Sequence, residues 1–129
     1  MKKILAVLML LVFAVPAVFA AKAVIAETIN VTLSAQSDEA VSRAILNACK
    51  VRRWTAEIRP NNEIVATIRS KGYMVSVNIS YSQNGYSMAY RDSIGMRYNS
   101  RRNSIHPTYL RWTTTLSNEI KNQLAKDAN

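Results

Sequence analysis

An alternating pattern on both sides of an Asn-Gly pair constrains the fold of this chain more than any other feature. Apolar or aromatic side chains occupy every second position over residues 73–81 and again over 86–90, and Ser-Gln-Asn-Gly fills 82–85 between them. Period-two alternation places one side of a strand in a core, and Asn-Gly favours a tight turn. The stretch therefore predicts an antiparallel hairpin with one apolar face.

Two further turns extend the hairpin to four strands, predicted at 53–59, 63–69, 73–81 and 86–91. Connecting loops at 60–62, 71–72 and 82–85 align these strands so that their apolar side chains share one face. A slip of one residue at any turn would reverse the faces of a strand, so the agreement supports the register. The opposite face is mostly polar and is expected to face water.

Two helices are predicted, one before and one after these strands. Ser37 is a favourable N-cap for a helix over 38–50, and the two acids that follow it suit the positive end of a helix. Pro107 begins a second helix, and apolar residues recur at helical spacing from there to about residue 126. Each helix carries an apolar stripe.

The apolar stripes and the apolar sheet face must cover one another. We therefore predict an α+β domain of two layers, in which a four-stranded antiparallel meander carries both helices on one face. Residues 24–36 alternate in the same way and are a candidate fifth, N-terminal strand.

Residues 1–23 are predicted to be a cleavable signal peptide. Two lysines precede an apolar run, and small residues follow Pro16. Ala20, Ala23 and Ala26 are each compatible with cleavage, and an uncleaved anchor is the alternative, although the run is short for a span of ~20 residues. We therefore predict a periplasmic protein with one domain over 24–129 and no transmembrane segment after cleavage.

The chain is basic, with 17 Lys and Arg against 8 Asp and Glu and a formal net charge of +9. Residues 1–20 contain two lysines and no acid, so +7 remains without them. The candidate binding residues lie after the last strand or face each other on the polar side of the sheet: Arg91, Arg97, Arg101, Arg102, Arg53 and Arg69.

Arginine binds phosphate and carboxylate through a planar fork of donors. The predicted partners are therefore an anionic lipid, lipopolysaccharide or an acidic envelope protein. Export argues against nucleic acid. The alternative is a solvated basic loop without a partner.

His106 is the only histidine and the one candidate for acid–base chemistry. With Tyr109 or Asp92 it would make a small periplasmic hydrolase, which is the alternative function. The sequence contains no nucleophile motif, no glycine-rich phosphate loop and no metal-ligand cluster, and Cys49 is its single cysteine. His106 precedes a helix start, where capping is a common role. We therefore predict a non-catalytic binding protein without a cofactor or metal.

Five segments share a pattern with known exported proteins: Trp54, 63–68, 75–82, 86–93, and 105–112 with Leu116 and Ile120. In these segments the chain resembles a family of small exported proteins and lipoproteins of Gram-negative bacteria. That family has no assigned biochemical function. The resemblance therefore implies export and the limits of the domain, and it implies no catalytic role.

Overall fold

The computed structural model describes residues 22–34 and 36–127. Seven strands and two helices occupy these residues: β1 (Val24–Ile25), β2 (Ile29–Thr32), α1 (Asp38–Val51), β3 (Thr55–Arg59), β4 (Glu63–Ser70), β5 (Tyr73–Ser82), β6 (Gly85–Ile94), β7 (Ser104–Ile105) and α2 (Thr108–Asp127). Neither described helix is long and apolar enough to cross a membrane. The signal-peptide prediction falls almost wholly on residues 1–21, which lie outside the described residues.

The larger sheet has five antiparallel strands in the order β2-β6-β5-β4-β3, and β1 pairs with β7 in a separate two-stranded sheet. The four strands of the predicted meander are thus neighbours in the larger sheet, and the N-terminal segment supplies its fifth strand. The register is the one that the turns predicted, with Arg59 opposite Glu63, Ala66 opposite Val77 and Tyr81 opposite Tyr86.

The last strand is longer than its sequence pattern suggested. Val77 lies opposite Tyr90, but Ser76 lies opposite Asp92, so Arg91 is an extra residue in a β-bulge. The prediction that strand structure ended at 91 was wrong because the bulge absorbs one residue and the ladder then continues to Ile94. Since the alternation shifts at the bulge, Asp92 and Ile94 share a face with Ser76.

Both helices pack against the sheet face that carries Val77, which we call the inner face. One buried cluster joins side chains of α1, α2 and this face: Val41, Ala44, Ile45, Ala48, Cys49, Ile64, Ala66, Val75, Val77, Ile79, Tyr86, Met88, Tyr109, Leu116, Ile120 and Leu124. Ile58 was expected in this core, but it is 66% exposed because it lies on the edge strand β3, which has a neighbouring strand on one side only.

The opposite face, which we call the outer face, is less exposed to solvent than its sequence suggested. Val65 is 5% exposed and Met74 is 7% exposed, although both were assigned to a wet face. Ser76 is buried beside them, and its Oγ lies 3.0 Å from Thr67 Oγ1. Part of the outer face is therefore buried, although the helices lie on the other side of the sheet.

Helix α1 begins and ends with recognisable caps. Ser37 Oγ accepts a hydrogen bond from the Ala40 N–H at 3.0 Å, as the sequence predicted. At the other end the Trp54 N–H donates to the Cys49 carbonyl at 2.8 Å, and Arg53 has φ 64°. This is a Schellman motif with an arginine where glycine is usual. The left-handed conformation costs a side-chain-bearing residue ~1–2 kcal/mol.

Cys49 is buried on the core side of α1 and is a free thiol. Burial raises the pKa of this thiol to about 12. A thiol in such surroundings stays protonated at neutral pH and behaves as a small apolar side chain.

Candidate functional site

A cleft of about 350 Å3 lies at the end of the larger sheet, where β4 ends, β5 begins and β6 ends. Its lining combines two cations, a histidine and two aromatic rings with smaller groups: Ser70, Lys71, Tyr73, Gly95, Met96, Arg97, His106, Thr108 and Trp112. None of these described lining residues is acidic. The cleft is therefore suited to an anionic group that also offers an apolar or planar surface.

One wall of the cleft depends on a glycine. A Cβ on Gly95 would lie 2.6 Å from Cδ1 of the Tyr73 ring, and the φ of this glycine is +78°. Two other lining residues are joined where the His106 N–H donates to the Met96 carbonyl at 2.8 Å. Arg97, the next lining residue in the chain after Met96, is held in the left-handed region with φ 55°.

His106 uses its ring to cap α2. Nδ1 accepts a hydrogen bond from the Thr108 N–H at 3.1 Å. The structure does not bring the proposed catalytic partners to it, because the Tyr109 side chain is buried in the core and Asp92 lies on the outer face opposite Ser76. Asp92 Oδ1 accepts instead from the neighbouring Ser93 N–H at 2.8 Å. The arrangement fits the capping role better than that of a general base.

A stack of tyrosines holds the basic loop after β6, which carries Arg97, Arg101 and Arg102, against the inner face. The rings of Tyr90 and Tyr98 stack with centroids 3.9 Å apart, and Tyr109 meets Tyr90 edge-on at 5.7 Å. Ser93 Oγ lies 2.7 Å from the Tyr90 hydroxyl, and the Tyr98 hydroxyl donates to Asn103 Oδ1 at 3.2 Å. Arg97 is next to the stacked Tyr98 in the chain, so its backbone is anchored.

Two buried tyrosine hydroxyls differ in their surroundings. The Tyr86 hydroxyl lies 2.7 Å from Ser117 Oγ and donates to the Ser117 carbonyl at 3.1 Å. The Tyr109 hydroxyl has no hydrogen-bond partner among the described residues, and burial raises the pKa of Tyr109. A buried polar group without a partner lowers stability, whereas one with good partners raises it.

The two phenylalanine substitutions should therefore change stability in opposite directions. We expect Tyr86→Phe to lower the free energy of unfolding by about 1–2 kcal/mol and Tyr109→Phe to raise it by about 1 kcal/mol. Urea denaturation of both variants measures the difference. A loss of stability in Tyr109→Phe equal to that in Tyr86→Phe would mean that the Tyr109 hydroxyl has a partner, such as a buried water.

The six candidate arginines fall into separate groups. Arg97 lines the cleft with Lys71. Arg101 and Arg102 lie in a tight turn, where the backbone N–H of each donates to Asn99 Oδ1, at 3.0 and 3.2 Å respectively. The Arg91 guanidinium, at the bulge, donates a hydrogen bond to Asn78 Oδ1 at 3.3 Å on the outer face, so one of its donors already has a partner.

Arg53 and Arg69 line a recess of about 380 Å3 on the outer face together with Thr55 and Thr67. The β3–β4 ladder ends at the two threonines, so the arginines lie just beyond it. The sequence predicted that these arginines would be neighbours, and they share one recess. The sequence did not identify Lys71 as a binding residue, because the Lys71-Gly72 pair was interpreted only as a turn.

The recess and the cleft lie at the same end of the sheet, which we call the cationic end (Arg53, Arg69, Lys71 and Arg97). Arg69 lies opposite Met74, which lies opposite Ile94, the last residue of β6 before the cleft wall. The ion pairs among the described residues are Arg43–Asp127, Arg52–Glu119 and Arg59–Glu57. The four cations of this end take part in none of them.

Comparisons with protein-family models, with curated proteins and with solved structures gave no match. Among the described residues, no group of three or more His, Cys, Asp and Glu side chains is placed to hold a metal ion. The cationic end is therefore the feature on which a functional assignment rests.

Proposed function

We propose that the chain is an exported, non-catalytic binding protein of the bacterial envelope that contacts anionic envelope components through its cationic end and its basic loop. The observation that carries this proposal is the cleft in which Lys71 and Arg97 converge without an acidic neighbour in its lining. Cations gathered without counter-charges repel one another, and an anionic partner relieves that repulsion.

Exposed apolar groups at the same end favour a lipid surface over an acidic protein. Tyr73 is 47% exposed and Ile94 is 51% exposed, and both lie close to Arg69 and Lys71 in the sheet register. Aromatic and aliphatic side chains beside cations suit the boundary between head groups and acyl chains. Anionic lipid, including lipopolysaccharide, is thus the partner class that this end fits best.

The basic loop adds charge near the cleft. Arg97 is part of the cleft, and Arg101 and Arg102 follow in a turn whose backbone is held by Asn99. A held backbone lets exposed arginines reach a flat anionic surface without a large loss of loop entropy. Each arginine near such a surface contributes ~1 kcal/mol at low salt.

A vesicle-binding assay tests the proposal. The domain from residue 24 should bind phosphatidylglycerol vesicles and not phosphatidylcholine vesicles, and binding should weaken with salt because charges are screened over ~8–10 Å. The triple variant Arg97→Ser, Arg101→Ser, Arg102→Ser should bind about 100-fold more weakly, since three such contacts amount to ~3 kcal/mol.

The control variant carries Lys50→Ser, Lys121→Ser and Lys126→Ser, three exposed lysines on the helices. It removes the same charge from elsewhere on the surface and should retain most of the affinity. Equal losses in the two triple variants would attribute binding to net charge alone. Equal binding of the wild type to neutral and anionic vesicles would refute the proposal.

A further inference from the structure

We infer that the recess between Arg53 and Arg69 binds a single phosphate group, carried by a lipid head group or by a soluble phosphate ester. This inference rests on the proposed function, because it names the chemical group that one part of the cationic end would recognise. Its site is separate from the cleft and from the loop that holds Arg101 and Arg102.

The lining of the recess consists of hydrogen-bond donors. Arg53 and Arg69 each offer a guanidinium, and Thr55 and Thr67 each offer a hydroxyl. Thr67 Oγ1 lies 3.0 Å from Ser76 Oγ, so one more hydroxyl stands behind the first row. Guanidinium forks and hydroxyls together match an oxyanion that has several acceptor oxygens.

The charge of the recess is not neutralised by the protein. Glu57, two residues along β3 from Thr55, is paired with Arg59 at 3.1 Å. Asp92 lies two strands away from Thr67 in the same cross-strand row and accepts a hydrogen bond from its own neighbour. Both arginines that line the recess therefore lack an ion-pair partner among the described residues. A phosphate monoester, with a charge near −2 and three free oxygens, balances both arginines, whereas a phosphodiester or a carboxylate, each with a charge of −1, balances one.

The backbone conformation of Arg53 also supports a functional role for its side chain. This residue occupies the left-handed position that ends α1, where glycine is favoured because it has no Cβ. Arginine occupies this position in spite of its conformational cost, and Arg53 lines the recess. A strained position of this kind is a reason to look for function in its side chain. Lys71 and Arg97 also have positive φ, so the feature recurs at the cationic end.

The first test is an NMR titration of the domain from residue 24 with inorganic phosphate, using sodium chloride at equal ionic strength as the reference. Amide shifts at residues 53–55 and 67–69 should move with phosphate and not with chloride. Arg53→Gly should weaken phosphate binding by at least 10-fold without lowering the midpoint of urea denaturation, because glycine suits the left-handed position. Arg59→Gln, an outer-face arginine outside the recess, should leave phosphate affinity unchanged.

Failure of Arg53→Gly to weaken binding, or equal shifts with phosphate and chloride, would overturn the inference. If Arg69→Gln weakens binding as Arg53→Gly does, both guanidinium groups act on one ion. If Arg69→Gln has no effect, the two-arginine site is refuted.

A second arm distinguishes the source of the phosphate. Phosphatidylcholine vesicles with and without phosphatidic acid are compared for the wild type and Arg53→Gly. Loss of phosphatidic-acid binding in Arg53→Gly supports a lipid head group, and unchanged vesicle binding with lost phosphate binding supports a soluble ester. Phosphate binding without any vesicle binding would refute the envelope proposal and leave the recess assignment intact. Vesicle binding that depends on Arg97, without specific phosphate shifts, would refute the recess alone.

Discussion

Replacing Gly85 by alanine is expected to lower the free energy of unfolding by about 3 kcal/mol or more. A Cβ at this position would lie 2.1 Å from the backbone oxygen of Val31. Gly85 pairs with Thr32 in β2 and with Ser82 in β5, so backbone on both sides fixes it. Neither β2 nor β6 can withdraw without breaking a ladder, and the clash cannot be relieved by turning a side chain.

Gly72→Ala is the matched control for this experiment. Gly72 also has a positive φ, +85°, but a Cβ added there would meet no atom within 4 Å among the described residues beyond its chain neighbours. This variant therefore carries the conformational cost alone, ~1 kcal/mol. Urea denaturation of both variants measures the difference of about 2 kcal/mol. Equal losses in the two proteins would show that β2 yields to the added methyl group.

A second large effect is expected in the core of the helical layer. Ile45→Ala should cost about 3–4 kcal/mol, because the side chain is fully buried between α1 and the sheet and its loss leaves a cavity. Ile58→Ala removes the same atoms from a side chain that is 66% exposed, and should cost less than about 1 kcal/mol. Thermal or urea unfolding of the pair provides the measurement. A loss at Ile58 as large as that at Ile45 would mean that Ile58 is covered in solution.

The register of the sheet could be predicted because three turns constrain it independently. Each loop length fixes which residues face each other, and only one combination puts the apolar residues of four strands on one side. The bulge at Arg91 could not be predicted in this way. Asp92 and Ser93 are typical of loops, and the alternation resumes only when one residue is skipped.

The burial of Val65 and Met74 on the outer face could not be predicted from the sequence pattern either. Val65 and Met74 alternate with core residues and were therefore assigned to water. Both are buried although the helices lie on the other side of the sheet, so their exposure is set by their surroundings in the folded sheet. The pattern of a single strand does not contain that information. The same holds for Ile58, whose apolar character suggested a core position that an edge strand does not provide.

The candidate site shows a similar division. Four of the six arginines were recognised because they crowd one stretch at and after the last predicted strand, and Arg53 and Arg69 because the predicted register made them cross-strand neighbours. Their grouping into a cleft and a recess depends on which strand ends meet. Lys71 was missed because a turn sequence explained it fully. Its positive φ beside that of Gly72 confirms the turn, and the turn is what presents it to the cleft.

The placement of β1 and β2 has a consequence for the order of folding. Strands β3 to β6 are joined by short turns, so each pairs with a neighbour that is close in the chain. By contrast β2 pairs with β6 and β1 pairs with β7, so nearly half of the chain or more separates each pair. Closing such long loops is slow and entropically costly. We therefore expect the N-terminal segment to dock last, onto a meander that is already formed.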